Sequence, residues 1–172
     1  MTSTISSPSP LDPLGLEPIP NDTRQRFLRF RLSGKNETLL PLEAIAEVRP
    51  LEIEDILPIP EISSSVLGVC NWRGELLWLI DLNMLVGDIP LWHQAPLLEE
   101  AIAIVVQLGQ QSIGLIVEQV DDVELIEPEL IQPQPDLCSS TLATFVAGYL
   151  PHHQGTVLDA KAIFEQSFQA PP

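Results

Sequence analysis

Residues 66–82 read VLGVCNWRGELLWLIDL. Two apolar runs, Val66 to Arg73 and Glu75 to Leu82, flank a single glycine. Short continuous apolar runs bounded by a turn signal are strands buried on both faces. Gly74 supplies the positive φ that a tight reversal demands, so the stretch predicts a central hairpin. Cys70 falls inside the first strand, where a buried free thiol is the default. Arg73 stands at the reversal. Between Pro50 and Ala160 it is the one basic side chain, set against seventeen Asp and Glu. A guanidinium presents five donors in a fixed fork and keeps its charge at any physiological pH. At the turn of two greasy strands it reads as a recognition group. The plainer reading is that it pairs with a neighbouring carboxylate such as Glu75 and pins the turn.

Outward from this hairpin the chain is a succession of short strands. Residues 1–23 are rich in Ser, Thr and Pro without hydrophobic period, which predicts a disordered leader. RFLRFRL, the turn SGKNE and TLLPL form a first hairpin, with Arg29 and Arg31 on its solvent face. Leu42 to Arg49 reads as one helical turn entering a strand, and Pro50, Pro58 and Pro60 then forbid a regular helix through Ile62. Leu85 to Glu100 reads as a loop. Ala101–Leu108 and Ser112–Val120 make a third hairpin across GQQ, and Val123–Pro128 a further strand. FVAGYLPHH and GTVLDA make a last hairpin before a short helix over Ala160–Phe168. No sequence repeat is visible. Nine or ten short strands with one terminal helix predict an all-β barrel or sandwich, and repeated short hairpins favour small barrels over one large sheet.

Composition excludes several functions. The formal net charge is −16, which argues against nucleic acid or an anionic bilayer as partner. Five of the eight basic residues lie between Arg24 and Lys35. Cys70 and Cys138 are too few for a disulfide framework and make no metal spacing. No run approaches membrane-spanning length, and no basic-then-apolar signal opens the chain, so a cytoplasmic location is expected without membrane insertion. His152 and His153 would face opposite sides of a strand, and His93 has no ligand near it, so no metal site is expected. No nucleophile has a base, and no phosphate-binding glycine motif occurs, so no catalytic residue and no cofactor are expected. The acidic run EQVDDVELIEPE (Glu118–Glu129) lacks an EF-hand pattern and reads as an exposed strand face.

F-L-R-F-R-L, L-P-L-E-A-I-A-E-V-R, G-V-C-N-W-R-G-E-L-L-W-L-I-D-L, the I-A-I-V-V-Q-L hairpin, A-G-Y-L-P and V-L-D-A-K-A-I-F occur in that order. In these blocks the chain resembles the CheW family of chemotaxis coupling proteins, over about residues 26 to 168. The resemblance implies two five-stranded SH3-like barrels sharing a hydrophobic seam, followed by a short C-terminal helix. It places a CheW-like domain at 24–168, with 169–172 as a tail. The implied role is a non-catalytic adaptor between the cytoplasmic helical hairpin of a chemoreceptor and the regulatory domain of a CheA-type histidine kinase.

Carried over by position, Gly68, Asn71, Arg73 and Gly74 match the signature turn, and Gly68 and Arg73 fall where the family contacts receptor. Leu42, Ile45 and Glu47 align with a block lining the same groove; core packing is the alternative for Leu42 and Ile45, and a close backbone approach for Gly68. The family usually has proline where Trp78 stands. Proline there implies a strand edge, whereas Trp restores the N–H and adds a large ring. Either that edge is covered differently here or Trp78 is part of an altered partner surface, and the change suggests a branch serving pilus-based motility or phototaxis. For the kinase, the stretch LEIEDILPIPEI points to Ile56, Leu57 and Ile59, whose spacing would not bury them all; capping of a barrel end is the alternative. A second function class is a metal-assisted hydrolase with an acidic site on a β-barrel.

Overall fold

Among the described residues, ten strands pair into two sheets of five. The computed structural model of the protein describes residues 21–32, 36–91, 100–133, 140–153 and 155–167. Most of the leader, the tail, Lys35, His93 and Cys138 lie outside them. One sheet holds β1 (Gln25–Leu32), β2 (Asn36–Pro41), β8 (Gln119–Ile126), β9 (Val146–Leu150) and β10 (Gly155–Leu158), in the order β8-β1-β2-β10-β9. The other holds β3 (Ile45–Glu52), β4 (Val66–Trp72), β5 (Glu75–Asp81), β6 (Glu100–Leu108) and β7 (Gln111–Val117), in the order β3-β6-β7-β5-β4. The short helix α1 (Leu82–Leu85) follows β5, and α2 (Ala160–Ser167) follows β10.

Strand alternation explains why the apolar runs are continuous. Leu28, Phe30 and Leu32 on β1 join Ile104, Ile113 and Leu115 of the other sheet in one shared core. On the opposite faces, Phe27, Leu39 and Val157 fill the first barrel, while Leu51, Leu77, Leu79 and Val105 fill the second. A strand with one face in its own barrel and one in the seam has no solvated face, so period 2 vanishes from its sequence. The expected two SH3-like barrels and their seam are present.

The barrels repeat each other, although the sequence alone displays no repeat. Matching the sheet orders equates β3 with β8, β4 with β9, β5 with β10, β6 with β1 and β7 with β2. After β3 a 3-10 turn at Ile53–Asp55 leads to Leu57, which bridges Val69 of β4. After β8 a 3-10 turn at Pro128–Leu130 leads to Gln132, which bridges Tyr149 of β9. Each bridging strand then carries V-x-G, as Val66–Gly68 and Val146–Gly148, with a register shift between the two named residues. An aspartate closes each unit: Asp81 accepts from the Met84 N–H of α1, and Asp159 from the Lys161 and Ala162 N–H groups of α2. Identities at matched positions are scattered: these, together with Glu54 and Glu129, Ile56 and Ile131, and Pro58 and Pro133 around the bridging segments.

Several expectations need correction. Ser112–Val120 is not one strand: the chain breaks at Glu118 and β8 crosses to the other sheet. Arg29 is not a solvated side chain. It lies between Glu37 and Glu124 at the sheet surface, the latter 2.7 Å away, and Arg31 meets Asp121 at 3.3 Å. The acidic face of β8 thus neutralises the basic face of β1. His152 and His153 lie in a 3-10 turn, with His152 at φ 61, rather than on a strand. Trp78 does not mark an edge. β5 is flanked by β4 and β7, and the ring packs against the shared core.

Candidate functional site

The reversal between β4 and β5 places both central residues in the left-handed region, Arg73 at φ 52 and Gly74 at φ 83. This twist matches a two-residue hairpin turn, but arginine there costs roughly 1 kcal/mol that asparagine or glycine would avoid. Three hydrogen bonds and one stacking contact hold the turn. Asn71 Oδ1 accepts the Gly74 N–H at 3.2 Å. The Trp72 indole N–H donates to Glu47 Oε2 at 2.9 Å, and Arg73 Nη2 donates to that same oxygen at 3.2 Å. The Arg73 guanidinium also stacks on the Trp72 ring, 4.8 Å from its centroid. Its partner is therefore Glu47 on β3, not Glu75.

These contacts link opposite edges of one sheet, since β3 and β4 are its two terminal strands. Trp72 is buried and forms part of the barrel interior, so it fixes Glu47 from below. The Trp72 N–H, followed by the charges of Arg73 and Arg49, holds the Glu47 carboxyl below its ordinary range. The Arg73 side chain remains 66% exposed. One donor is committed to Glu47 and the outward-facing donors are left pre-aimed, which suits a carboxylate or carbonyl on a partner.

The expected site residues separate into groups. Glu47, Asn71 and Arg73 come together at the turn. Gly68 does not join them: the Leu57–Pro58 backbone lies against it, and its φ is 148. Leu42 and Ile45 are half-buried against the shared core. A register shift between Ile45 and Glu47 puts Ile45 opposite Val106, a seam residue, and Glu47 opposite Val105, a barrel residue. The two side chains thus leave β3 on different faces. Leu42 and Ile45 instead line a recess of about 470 Å³ with Arg24, Gln25, Arg26, Pro41 and Glu43.

Of the stretch assigned to a second partner, Ile56 packs against the barrel core, Ile59 is half-buried and Leu57 is 61% exposed. The Leu57 backbone exchanges hydrogen bonds of 2.8 and 2.9 Å with Val69, closing the free edge of β4. Trp72 was missed as a site residue, although its place beside Arg73 in N-W-R-G could have suggested stacking. Asp81 was missed as an organiser. It is fully buried, accepts from Met84 and Leu91 N–H groups at 3.3 and 3.0 Å, and its pKa is raised by burial against the pull of those bonds.

Among the described residues no three His, Cys, Asp or Glu side chains come together to hold a metal ion, and no helix is long and apolar enough to cross a membrane. Cys70 is buried, and burial pushes its thiol pKa up.

A probable chemotaxis protein CheW of Rhizobium etli is 27% identical over 149 residues, covering 86% of this chain and 92% of the relative. A chemotaxis protein CheW of Rhizobium meliloti is 30% identical over 126 residues, covering 73% and 77%. The crystal structure of scaffolding protein TtCheW from Thermoanaerobacter tengcongensis shares the fold, with a TM-score of 0.64 at 24% identity over 78% of this chain and 87% of that one. The CheW-like domain itself is matched over residues 26–168, and the chain belongs to that family.

Proposed function

We propose that this protein is a non-catalytic adaptor in chemotaxis-type signalling, working in the cytoplasm. It joins the cytoplasmic helical hairpin of a chemoreceptor to the regulatory domain of a CheA-type histidine kinase. The observation that carries the reading is Arg73, held at a positive φ and braced by Glu47 and Trp72 while most of its side chain faces solvent. Backbone strain of this kind persists where surrounding structure imposes it and is concentrated at functional positions. Family membership and relatives named as chemotaxis proteins support the pathway.

In this reading Arg73, Asn71 and Glu47 form the receptor contact, with Gly68 fixing the strand behind them and Leu42 and Ile45 extending it along the seam. Ile56, Leu57 and Ile59 form the kinase side, with Leu57 as the exposed anchor. Pull-down of the receptor hairpin by wild-type protein and by Arg73→Glu tests the reading. Binding by the wild type, lost in a variant with an unchanged melting profile, supports it. Equal binding by both removes Arg73 from the interface. The hydrolase reading has no metal-holding cluster among the described residues to support it.

A further inference from the structure

Glu47 and Arg73 leave an acceptor and a set of donors open side by side at the turn. The Trp72 and Arg73 donors both go to Oε2 of Glu47, and Oε1 accepts no hydrogen bond among the described residues. The Trp72 N–H above all keeps the carboxyl below its ordinary range, so Oε1 is purely an acceptor at neutral pH. Arg73 commits Nη2 to Glu47, and its other N–H groups have no hydrogen-bond partner among the described residues. Both side chains reach solvent, Glu47 at 33% and Arg73 at 66% exposure. Around them, Arg49 on β3 and Glu75, opposite Trp72 on β5, share the same face of the sheet, and their charges offset each other. The site therefore presents one acceptor beside several donors, with no net charge.

We infer that the Glu47–Arg73 pair grips a carboxamide, the side chain of an asparagine or glutamine on the receptor hairpin, and selects it against the isosteric carboxylate. The inference rests on the adaptor reading and names the chemical group that Arg73 meets. The amide oxygen accepts from Arg73, and the amide NH2 donates to Oε1 of Glu47. A primary amide carries both an acceptor and donors, so it satisfies both halves of the pair. An aspartate or glutamate would satisfy Arg73 but set its second oxygen against Glu47, and a lysine would face Arg73. Like charges brought together in this way act against the wrong partner. A neutral amide also loses less hydration on entering the contact than a charge does. Buried Trp72 makes the selection possible. By holding Oε2 it keeps Glu47 from turning both oxygens to Arg73 in the parallel fork that a free arginine–carboxylate pair favours.

The test titrates the full chain, as wild type, Glu47→Gln and Arg73→Glu, with a soluble chemoreceptor hairpin fragment from the same organism. In the fragment, each asparagine and glutamine near the tip is exchanged singly for aspartate or glutamate. The expected result is that one such exchange weakens binding to the wild type by about tenfold or more, and that Glu47→Gln recovers most of the loss because its amide donates to the new carboxylate. If Glu47→Gln melts below the wild type, alanine at the same fragment position decides. Alanine removes the contacts without adding the repulsion, so it should cost less than the acid, and the reverse order overturns the inference. A loss that a stable Glu47→Gln does not relieve overturns it too, as does wild-type binding that no exchange weakens or that an acidic exchange tightens. In each of these cases loss of binding by Arg73→Glu leaves the adaptor reading intact. No binding of the unaltered fragment by the wild type overturns both.

Discussion

A Cβ on Gly68 would sit on the carbonyl oxygen of Leu57, with the carbonyl carbon 2.8 Å away and Pro58 Cα at 3.0 Å. The segment that closes the β4 edge passes so near the strand that only a hydrogen atom fits between them. The other barrel has the same arrangement, where a Cβ on Gly148 would meet Ile131 Cγ2 at 2.5 Å and Gln132 O at 2.6 Å. Gly68 therefore holds two backbones together, and any effect of its substitution on partners acts through that packing.

Gly68→Ala should lower stability by about 2 kcal/mol or more, from the positive φ together with the collision. Gly148→Ala, whose obstruction also includes backbone, should fall in the same direction. Thermal or denaturant unfolding measures both. A Gly68→Ala protein with wild-type stability and lost receptor binding would restore the direct-contact reading of this glycine.

Arg73→Asn should raise stability by a few tenths to about 1 kcal/mol, because asparagine tolerates the left-handed turn and the exposed ion pair it removes is worth little. The same variant should lose receptor binding. Gain in one assay with loss in the other is the signature of a residue kept for its partner. A stability loss beyond about 1 kcal/mol would instead make Arg73 a structural pin.

Much of this was legible beforehand, and the failures have physical causes. Hairpins were readable because glycine and turn residues punctuate them, and the Val66–Leu82 pair came out within one residue at each end. The seam was implied by the family resemblance, and strands apolar on both faces agree with it. Pairing across long sequence separation left no local trace, so the carboxylate offered for Arg73 in the plainer reading was nearby Glu75 rather than Glu47, and Arg29 looked solvated. The bulge that parts Ile45 from Glu47 has no glycine to signal it. The internal repeat stayed hidden because a barrel tolerates any apolar residue of suitable volume, so identity survives only at scattered positions such as Gly68 and Gly148 or Asp81 and Asp159.

Asp81→Ala should cost about 1–2 kcal/mol as a lost helix cap, with a further penalty from the unsatisfied Leu91 N–H. Because burial raises the Asp81 pKa, the folded state holds its proton more tightly than the unfolded chain does. Its contribution to stability therefore declines as pH rises from the ordinary aspartate range through the raised value. Urea unfolding of wild type and Asp81→Asn across the acidic range up to neutrality compares the two slopes; identical slopes would dismiss Asp81 as a titrating group.

Glu47 has the opposite sign. Its depressed pKa means that its tie to Trp72 and Arg73 is intact above the ordinary carboxylate range and is lost as pH falls through the lowered value. Trp72 fluorescence should change in that acidic interval in the wild type, and the change should be absent in Glu47→Gln. Persistence in the variant would assign it to another group.

Leu57→Asp should weaken kinase binding while sparing receptor binding and the melting transition, because the Val69 bridge uses only the Leu57 backbone. Ile56→Asp, which places a charge against the barrel core, should unfold the protein instead. If Leu57→Asp leaves kinase affinity untouched, that partner docks elsewhere.

The adaptor claim is tested most directly by mixing the protein with the receptor hairpin and the kinase regulatory domain and weighing the complexes by size-exclusion chromatography with light scattering. The account predicts one species containing all three chains, formed because Arg73 and Leu57 serve separate partners. Mutual exclusion of the two partners, or failure of the protein to bind either, would contradict it.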